Sequence, residues 1–274
     1  MSETSWSIAQ CEQGSPLDKT DTRILLMHVT GFSRIQLITQ SAYELTTAQQ
    51  QQFQVLLQRR AAGEPIAYLT GEREFFGLSF QTSPAVLIPR PDTELLVELA
   101  LNYAPTGSAL LDLGTGSGAI AIAIAHQRAD LQVTAADIST AALAVAQSNA
   151  ERLLPPHTLR LLHSNWYQAL GTERYATIVS NPPYIVKDDP HLSQGDLRFE
   201  PLNALTDHGD GLNAYRHLIS QANAHLLPQG WLLLEHGYDQ AEAVRTLLEQ
   251  HYFSGIQSWR DLAGIERVSG GQLI

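Results

Sequence analysis

The chain has 274 residues, 44% hydrophobic and 16% charged, enough to bury a large core, which excludes a disordered or fibrous protein. A net charge of −11, with Arg59-Arg60 the one adjacent basic pair, argues against direct contact with a nucleic-acid backbone. Cys11 is the single cysteine, which rules out an internal disulfide or a thiolate metal cage. With no basic-then-apolar leader and no apolar run near 20 residues, the expectation is a soluble, cytoplasmic protein with no membrane partner.

Up to about Leu69 the apolar residues fall at helical spacing: Ile24, Leu25 and Val29, then Leu37 and Ile38, then Phe53, Leu56 and Leu57. Several short helices are expected there, with Ser33 and Thr46 placed as N-caps and Gly31 and Gly63 as punctuation. Residues 1–72 therefore read as a small helical domain. From Gly71 the period changes. Phe75-Phe76-Gly77-Leu78-Ser79-Phe80 alternates about a glycine and reaches Val86-Leu87-Ile88 through Ser83-Pro84, predicting a hairpin-like linker over 73–91 that ends in Pro89-Arg90-Pro91.

A helix should start near Asp92 and run to about Tyr103. Beyond Pro105, short β-rich runs at Ala109–Leu113, Gln132–Asp137, Leu159–His163, Ala176–Ser180 and Trp231–Glu235 alternate with helical stretches such as Thr140–Leu153 and Gly211–Leu227. Strands alternating with helices predict an α/β domain over 92–274, with a mostly parallel sheet and helices on both faces. Ala119–Ala125 has the period of a strand but follows a glycine turn and is rich in the best helix former, so it is assigned as helix. The tail, Ser254–Ile274, reads as a final antiparallel pair.

Leu111-Asp112-Leu113-Gly114-Thr115-Gly116-Ser117-Gly118 sets three glycines at the end of the domain's first strand, where parallel sheets bind cofactors and where glycine lets backbone approach a ligand. Asp137 ends the next strand about 20 residues on, placed to accept ribose hydroxyls, and fits either NAD or S-adenosylmethionine. There is no Gly-Lys-Ser/Thr of a P-loop, and Thr115 stands where a Gly-x-Ser-x-Gly hydrolase motif needs its first glycine, so Ser117 is no nucleophile. Ten histidines without His-x-x-x-His or Cys/His spacing predict no metal.

The fourth strand of the domain delivers Asn181-Pro182-Pro183-Tyr184 to the same sheet edge. Two prolines stiffen this turn and remove backbone donors. The Asn181 side-chain oxygen and the Pro182 carbonyl can each accept from an NH₂ group, and Tyr184 offers a face, so the constellation suits a planar amide or amino group.

Asp112–Gly118 together with Asn181–Tyr184 resemble the signature pair of S-adenosylmethionine-dependent amino-group methyltransferases, and the chain is most similar to the HemK/PrmC-type protein-glutamine methyltransferases. The likeness extends to Gly63–Gly71, Leu87–Glu94, Arg198–Pro201, Leu234–Gly237 and Asp261–Val268, most of the chain from about residue 20 onward. Within that family it resembles the branch acting on the Gly-Gly-Gln glutamine of peptide chain release factors. The resemblance implies a small N-terminal helical bundle for substrate recognition, a β-hairpin linker, and a seven-stranded Rossmann-like methyltransferase domain.

It also implies S-adenosylmethionine as cofactor, with Gly114, Thr115, Gly116, Ser117 and Gly118 beside its methionine part, Asp137 on its ribose and Trp166 beside its adenine. Asn181, Pro182, Pro183 and Tyr184 would hold the glutamine, with Asn181 also next to the cofactor and Asn181, Pro182 and Tyr184 carrying catalysis. One departure is Asn165, where the family often has an acidic residue; an amide oxygen accepts from the adenine amino group without charge, a weaker contact. An amide nitrogen is a poor nucleophile, so orientation and transition-state hydrogen bonds must compensate. Release factors are the expected partner and a monomer the expected state. The alternatives are a ribosomal-protein glutamine methyltransferase, an adenine-amino methyltransferase that flips a base out, and a silent binding module. Gly270-Gly271-Gln272 repeats the target motif near the tail and is read as coincidence.

Overall fold

The computed structural model describes residues 5–274, which divide into two compact units: residues up to 72 with 195–199, and residues 73–194 with 200–274. The segment 195–199 thus belongs with the helices although it lies far along the chain.

The smaller unit holds α1 (Ile8–Gly14), α2 (Lys19–Thr30), α3 (Arg34–Thr39), α4 (Thr47–Ala61) and α5 (Ile66–Thr70). Ser7, Ser33 and Thr46 each close a capping box with the glutamine three residues on, and Asp18 accepts from two backbone N–H groups at the start of α2. Gly31 ends α2 in the left-handed region at φ 71°, where a Cβ is disfavoured. Ile8, Leu25, Leu26, Leu37, Phe53 and Leu56 form its core, and Cys11 is buried among them as a small hydrophobe. Arg60 pairs with Asp21 at 2.5 Å and Asp196 at 3.1 Å, and the Arg198 guanidinium donates to the Ala62 carbonyl at 2.6 Å, which explains why 195–199 returns here.

β1 (Glu72–Phe75) and β2 (Leu78–Gln81) form a two-stranded hairpin whose two turn residues, Phe76 and Gly77, both have positive φ. That geometry matches the right-handed strand twist. The expected continuation at Val86–Ile88 is buried but not a strand: Pro84 lacks an N–H, and Val86 N–H closes a turn onto the Ser83 carbonyl. The helix expected from Asp92 opens with a 3₁₀ turn, Pro91–Thr93, and continues as α6 (Glu94–Tyr103).

The domain then runs β3 (Ala109–Leu113), α7 (Ala119–Gln127), β4 (Gln132–Asp137), α8 (Thr140–Leu153), β5 (Leu159–His163), β6 (Tyr175–Ser180), α9 (Leu202–Leu205), α10 (Asn213–His225), β7 (Leu226–Glu235), α11 (Ala241–Glu249), β8 (Phe253–Arg260) and β9 (Glu266–Leu273). The seven strands order as β5-β4-β3-β6-β7-β9-β8, parallel from β5 to β7, with β9 antiparallel to both β7 and β8. The strand order reverses between β3 and β6, so a crevice opens at their carboxyl ends. α7 is a helix throughout, with every residue from Ala119 to Ala125 buried; its alanines let it lie close to the sheet. α10 is shorter than expected because β7 starts at Leu226, which pairs with Tyr175 before a register shift that accommodates Pro228 and Gly230.

Gly270 and Gly271 lie inside β9, paired with Leu233 and Leu232. A Cβ on Gly270 would stand 2.5 Å from the Leu232 carbonyl oxygen, so sheet packing accounts for both glycines.

Candidate active site

Loop 114–118 leaves β3 with Gly114, Gly116 and Gly118 at φ 75°, 55° and 82°, angles that favour glycine. Its N–H groups are mostly spent inside the protein. Gly114 and Thr115 donate to the Ala136 carbonyl, Gly118 to the Thr115 carbonyl, and Gly116 to Asp137 Oδ2 at 2.9 Å. Asp137 Oδ1 accepts from Ser139 N–H at 2.8 Å. Both carboxylate oxygens are thereby aimed, each with a lone pair left. Behind the loop, Thr115 donates to Asp112 Oδ2 at 2.6 Å, and the Asn149 amide donates to the Ser117 carbonyl at 2.9 Å. Asn149 also exchanges hydrogen bonds with the Gln81 backbone, tying loop to hairpin.

The second wall is the turn after β6. Ser180 donates to the Leu113 carbonyl at 2.7 Å, which locks the β6 terminus against β3. Asn181 Nδ2 donates to Thr93 Oγ1 at 3.3 Å, and the Tyr184 carbonyl accepts from Gln240 Nε2 at 3.0 Å. Pro182 is buried, and Tyr184 packs its ring against the core cluster that includes Tyr215 and Ile178. Burial pushes the Tyr184 phenol up to about 12, so it stays neutral.

Between these walls lies a cavity of about 490 Å³. Of the residues singled out from sequence, Gly114, Gly116, Asp137, Trp166, Asn181 and Pro183 line it. Thr115, Ser117 and Gly118 stand behind it. The two side chains are buried, and a Cβ on Gly118 would meet Ile122 Cδ1 at 2.8 Å and Ala146 Cβ at 3.2 Å, so that glycine serves loop–helix packing. Trp166, at φ 52°, lays its indole across Gly114, 3.5 Å from where a Cβ would be. Asn165, Ser164 and Ile138 complete that side, with Val86, Leu87, Pro201 and Asn203 on the other.

Burial pushes two carboxyls at the strand ends up to about 7, Asp112 on β3 and Glu235 on β7. Glu235 and Thr93 lie in stretches that carried the family likeness but had no role assigned from sequence, and Asn149 was not singled out. The available signal for Glu235 was an ionisable residue at the ligand end of a predicted parallel strand.

The lining discriminates between the two cofactors left open by Asp137. A dinucleotide needs free loop N–H groups or cations for its pyrophosphate, whereas four of the five loop N–H groups here are already bonded and, among the described residues, no Lys or Arg lines the cavity. An oriented carboxylate, an indole and an amide fit a cationic nucleoside such as S-adenosylmethionine.

Residues 5–71 match the family model described as the PrmC N-terminal domain, and residues 91–195 that described as the methyltransferase small domain. The release factor glutamine methyltransferase of Burkholderia pseudomallei is 56% identical over 272 residues, covering 97% of this chain and 95% of its own. That of Escherichia coli is 47% identical over 261 residues, covering 95% and 94%. Among solved structures, the 16S rRNA N2 G1207 methyltransferase of T. thermophilus, in complex with AdoMet and guanosine, aligns with a TM-score of 0.54. It covers 74% of this chain and 50% of its own at 23% identity, a likeness of fold.

Proposed function

We propose, for a chain that belongs to the release factor glutamine methyltransferases, that Asn181, Pro182 and Tyr184 hold the substrate glutamine while Gly114, Gly116, Asp137 and Trp166 hold S-adenosylmethionine. The enzyme methylates the side-chain amide nitrogen of the glutamine in the Gly-Gly-Gln motif of peptide chain release factors. The observation that carries the assignment of residues is the convergence of Gly114 and Gly116 of the loop with Asn181 and Pro183 of the turn on one cavity, with Pro182 and Tyr184 in the same turn but outside its lining.

When bound, the cofactor supplies a methyl group on a positively charged sulfur, the hard part of the chemistry. The protein's work is orientation and charge. Asp137, held by the N–H groups of Gly116 and Ser139, would accept ribose hydroxyls, and Asn165 would accept from the adenine amino group. The Asn181 side-chain oxygen and the Pro182 carbonyl each accept one proton of the substrate NH₂. These bonds strengthen as the nitrogen gains positive charge in the transition state. No strong base is needed, since the proton on a methylated, cationic amide is acidic enough to leave for water.

The helical unit recognises the release factor. The −11 charge favours a basic protein partner and disfavours nucleic acid as substrate. No helix among the described residues is long and apolar enough to cross a membrane. A monomer acting in the cytoplasm fits these features. The test is incubation with methyl-labelled S-adenosylmethionine and a release factor, beside the same factor with its Gly-Gly-Gln glutamine changed to alanine. Label on the intact factor alone is expected. Label on neither, or on both, overturns the reading.

A further inference from the structure

We infer that Glu235, together with Thr93, fixes which way round the Asn181 side-chain amide points, and that it is therefore a positioning residue for methyl transfer. The inference rests on the role given to Asn181 above.

Three elements bring these residues together. Thr93 ends the 3₁₀ turn before α6, Asn181 follows β6, and Glu235 ends β7. β6 and β7 are adjacent and parallel with Ser180 opposite Leu234, so the next residues, Asn181 and Glu235, emerge side by side. Glu235 is 3% exposed and Thr93 5%. Asn181 Nδ2 donates to Thr93 Oγ1 at 3.3 Å, which leaves the Thr93 proton free for the Glu235 carboxyl, whose charged form Thr93 and Asn181 both stabilise. No protein donor reaches Glu235 Oε2.

Hydrogen-bond polarity then decides the amide. An ionised carboxylate only accepts, and a threonine hydroxyl has one proton to give. With that proton on Glu235, the Thr93 lone pairs face Asn181. Both neighbours of the Asn181 amide are then acceptors, so the NH₂ end must face them, using its two protons. The oxygen is left facing the cavity, where the substrate NH₂ needs an acceptor. The flipped amide would set donor against donor at the substrate and acceptor against acceptor behind it, each a buried mismatch.

The arrangement depends on charge. Asp92 faces Glu235 from the 3₁₀ turn and raises its affinity for a proton, Arg267 on β9 lowers it, and Tyr184 lies beside it, with Arg90 acting on Tyr184 in turn. His236, next along the chain, turns its ring to Ser269 and the Gly237 carbonyl. Burial outweighs the rest and places the Glu235 titration at about 7. Below that pH the carboxyl carries a proton, can donate to Thr93, and the polarity that holds Asn181 is lost.

The experiment measures kcat, KM for a release factor, and cofactor Kd between pH 6 and 9. The variants are Glu235→Leu, Glu235→Gln, Thr93→Val and Thr93→Ser, each with its melting temperature. The wild type is assayed first against the release factor and its Gly-Gly-Gln alanine variant, so a wrong substrate shows there and not in the comparison of variants. Glu235→Leu and Thr93→Val are expected to lower kcat on the order of tenfold to a hundredfold with cofactor Kd within about twofold. Glu235→Gln, which cannot titrate and, like the protonated carboxyl, can donate to Thr93, should sit near the wild type's low-pH kcat at every pH and lose the acid limb near pH 7. Thr93→Ser should rescue Thr93→Val. Wild-type kcat in folded Glu235→Leu or Thr93→Val, an acid limb that persists in Glu235→Gln, or cofactor Kd rising in step with the loss of kcat would each overturn the inference.

Discussion

Replacing Asp137 by asparagine separates the loop contacts of the carboxylate from the ribose contact proposed for it. Its Oδ2 accepts from Gly116 N–H at 2.9 Å and its Oδ1 from Ser139 N–H at 2.8 Å. Asparagine offers one oxygen, so one of these N–H groups faces an NH₂. That mismatch costs about 1–3 kcal/mol, but it is present with and without cofactor, and so it lowers the melting temperature without weakening the cofactor. What changes Kd is the ribose. In the proposed site two ribose hydroxyl donors would meet two anionic acceptors in the wild type and one neutral acceptor in the variant, a loss of about 1.5–3 kcal/mol, or roughly 10- to 150-fold in Kd. Titration calorimetry with S-adenosylmethionine reads the second quantity, and scanning calorimetry of the cofactor-free protein reads the first. A Kd within threefold of wild type, in a protein whose melting temperature has fallen, would show that Asp137 tethers the loop and does not hold the ribose.

Asn181→Ala should reduce kcat on the order of 10²–10³-fold while cofactor Kd stays within a few-fold, because its oxygen acts on charge that develops only in the transition state; equal losses in both, measured by single-turnover labelling and calorimetry, would remove it from that role. Asn165→Asp, at the adenine end of the cavity, should tighten cofactor binding by about 0.5–1.5 kcal/mol, since a charged acceptor replaces a neutral one, and an unchanged Kd would place the adenine elsewhere. Stability should fall as pH rises from 6.5 to 8. Asp112 and Glu235 titrate near 7 in the fold, against ordinary values of 3.8 and 4.5, so over this range the folded state holds protons that the unfolded chain has already released. By linkage that slope is negative, and the two groups together amount to on the order of 1–2 kcal/mol, a few degrees of melting temperature in the cofactor-free protein. A flat or rising melting temperature would contradict it.

Local signals carried most of the fold into the sequence. Ala109–Leu113, Gln132–Asp137 and Leu159–His163 are strands at the residues where their apolar runs begin and end, and Ser33 and Thr46 cap the helices they precede. α7 was legible only by overruling its two-residue period with the preceding glycine turn and the composition of the run. What escaped depends on contacts between distant residues. Nothing local marks 195–199 as belonging with helices more than a hundred residues earlier, since the cause is Asp196 meeting Arg60 and Arg198 reaching the Ala62 carbonyl. The early start of β7 is likewise set by Tyr175 on the neighbouring strand. In the site, the glycine loop and the proline turn announce themselves by composition. Thr93 and Glu235 do not, because a threonine before a helix reads as a cap and a glutamate after an apolar strand reads as a solvated terminus. Their role exists only once β6 and β7 lie side by side.

The hydrogen-bond polarity proposed for the site, which suits a primary amide, also disfavours a second methylation of the same nitrogen. In the proposed arrangement the substrate NH₂ has two protons for two acceptors, the Asn181 oxygen and the Pro182 carbonyl. After transfer the nitrogen keeps one proton, so one acceptor is left facing a methyl group. An acceptor left unpaired away from water costs about 1–3 kcal/mol, which would weaken the product by roughly 5- to 150-fold relative to a fully paired substrate. On the proposed site, product release and single methylation would share one cause with substrate choice: a rigid turn whose two acceptors match the two protons of a primary amide.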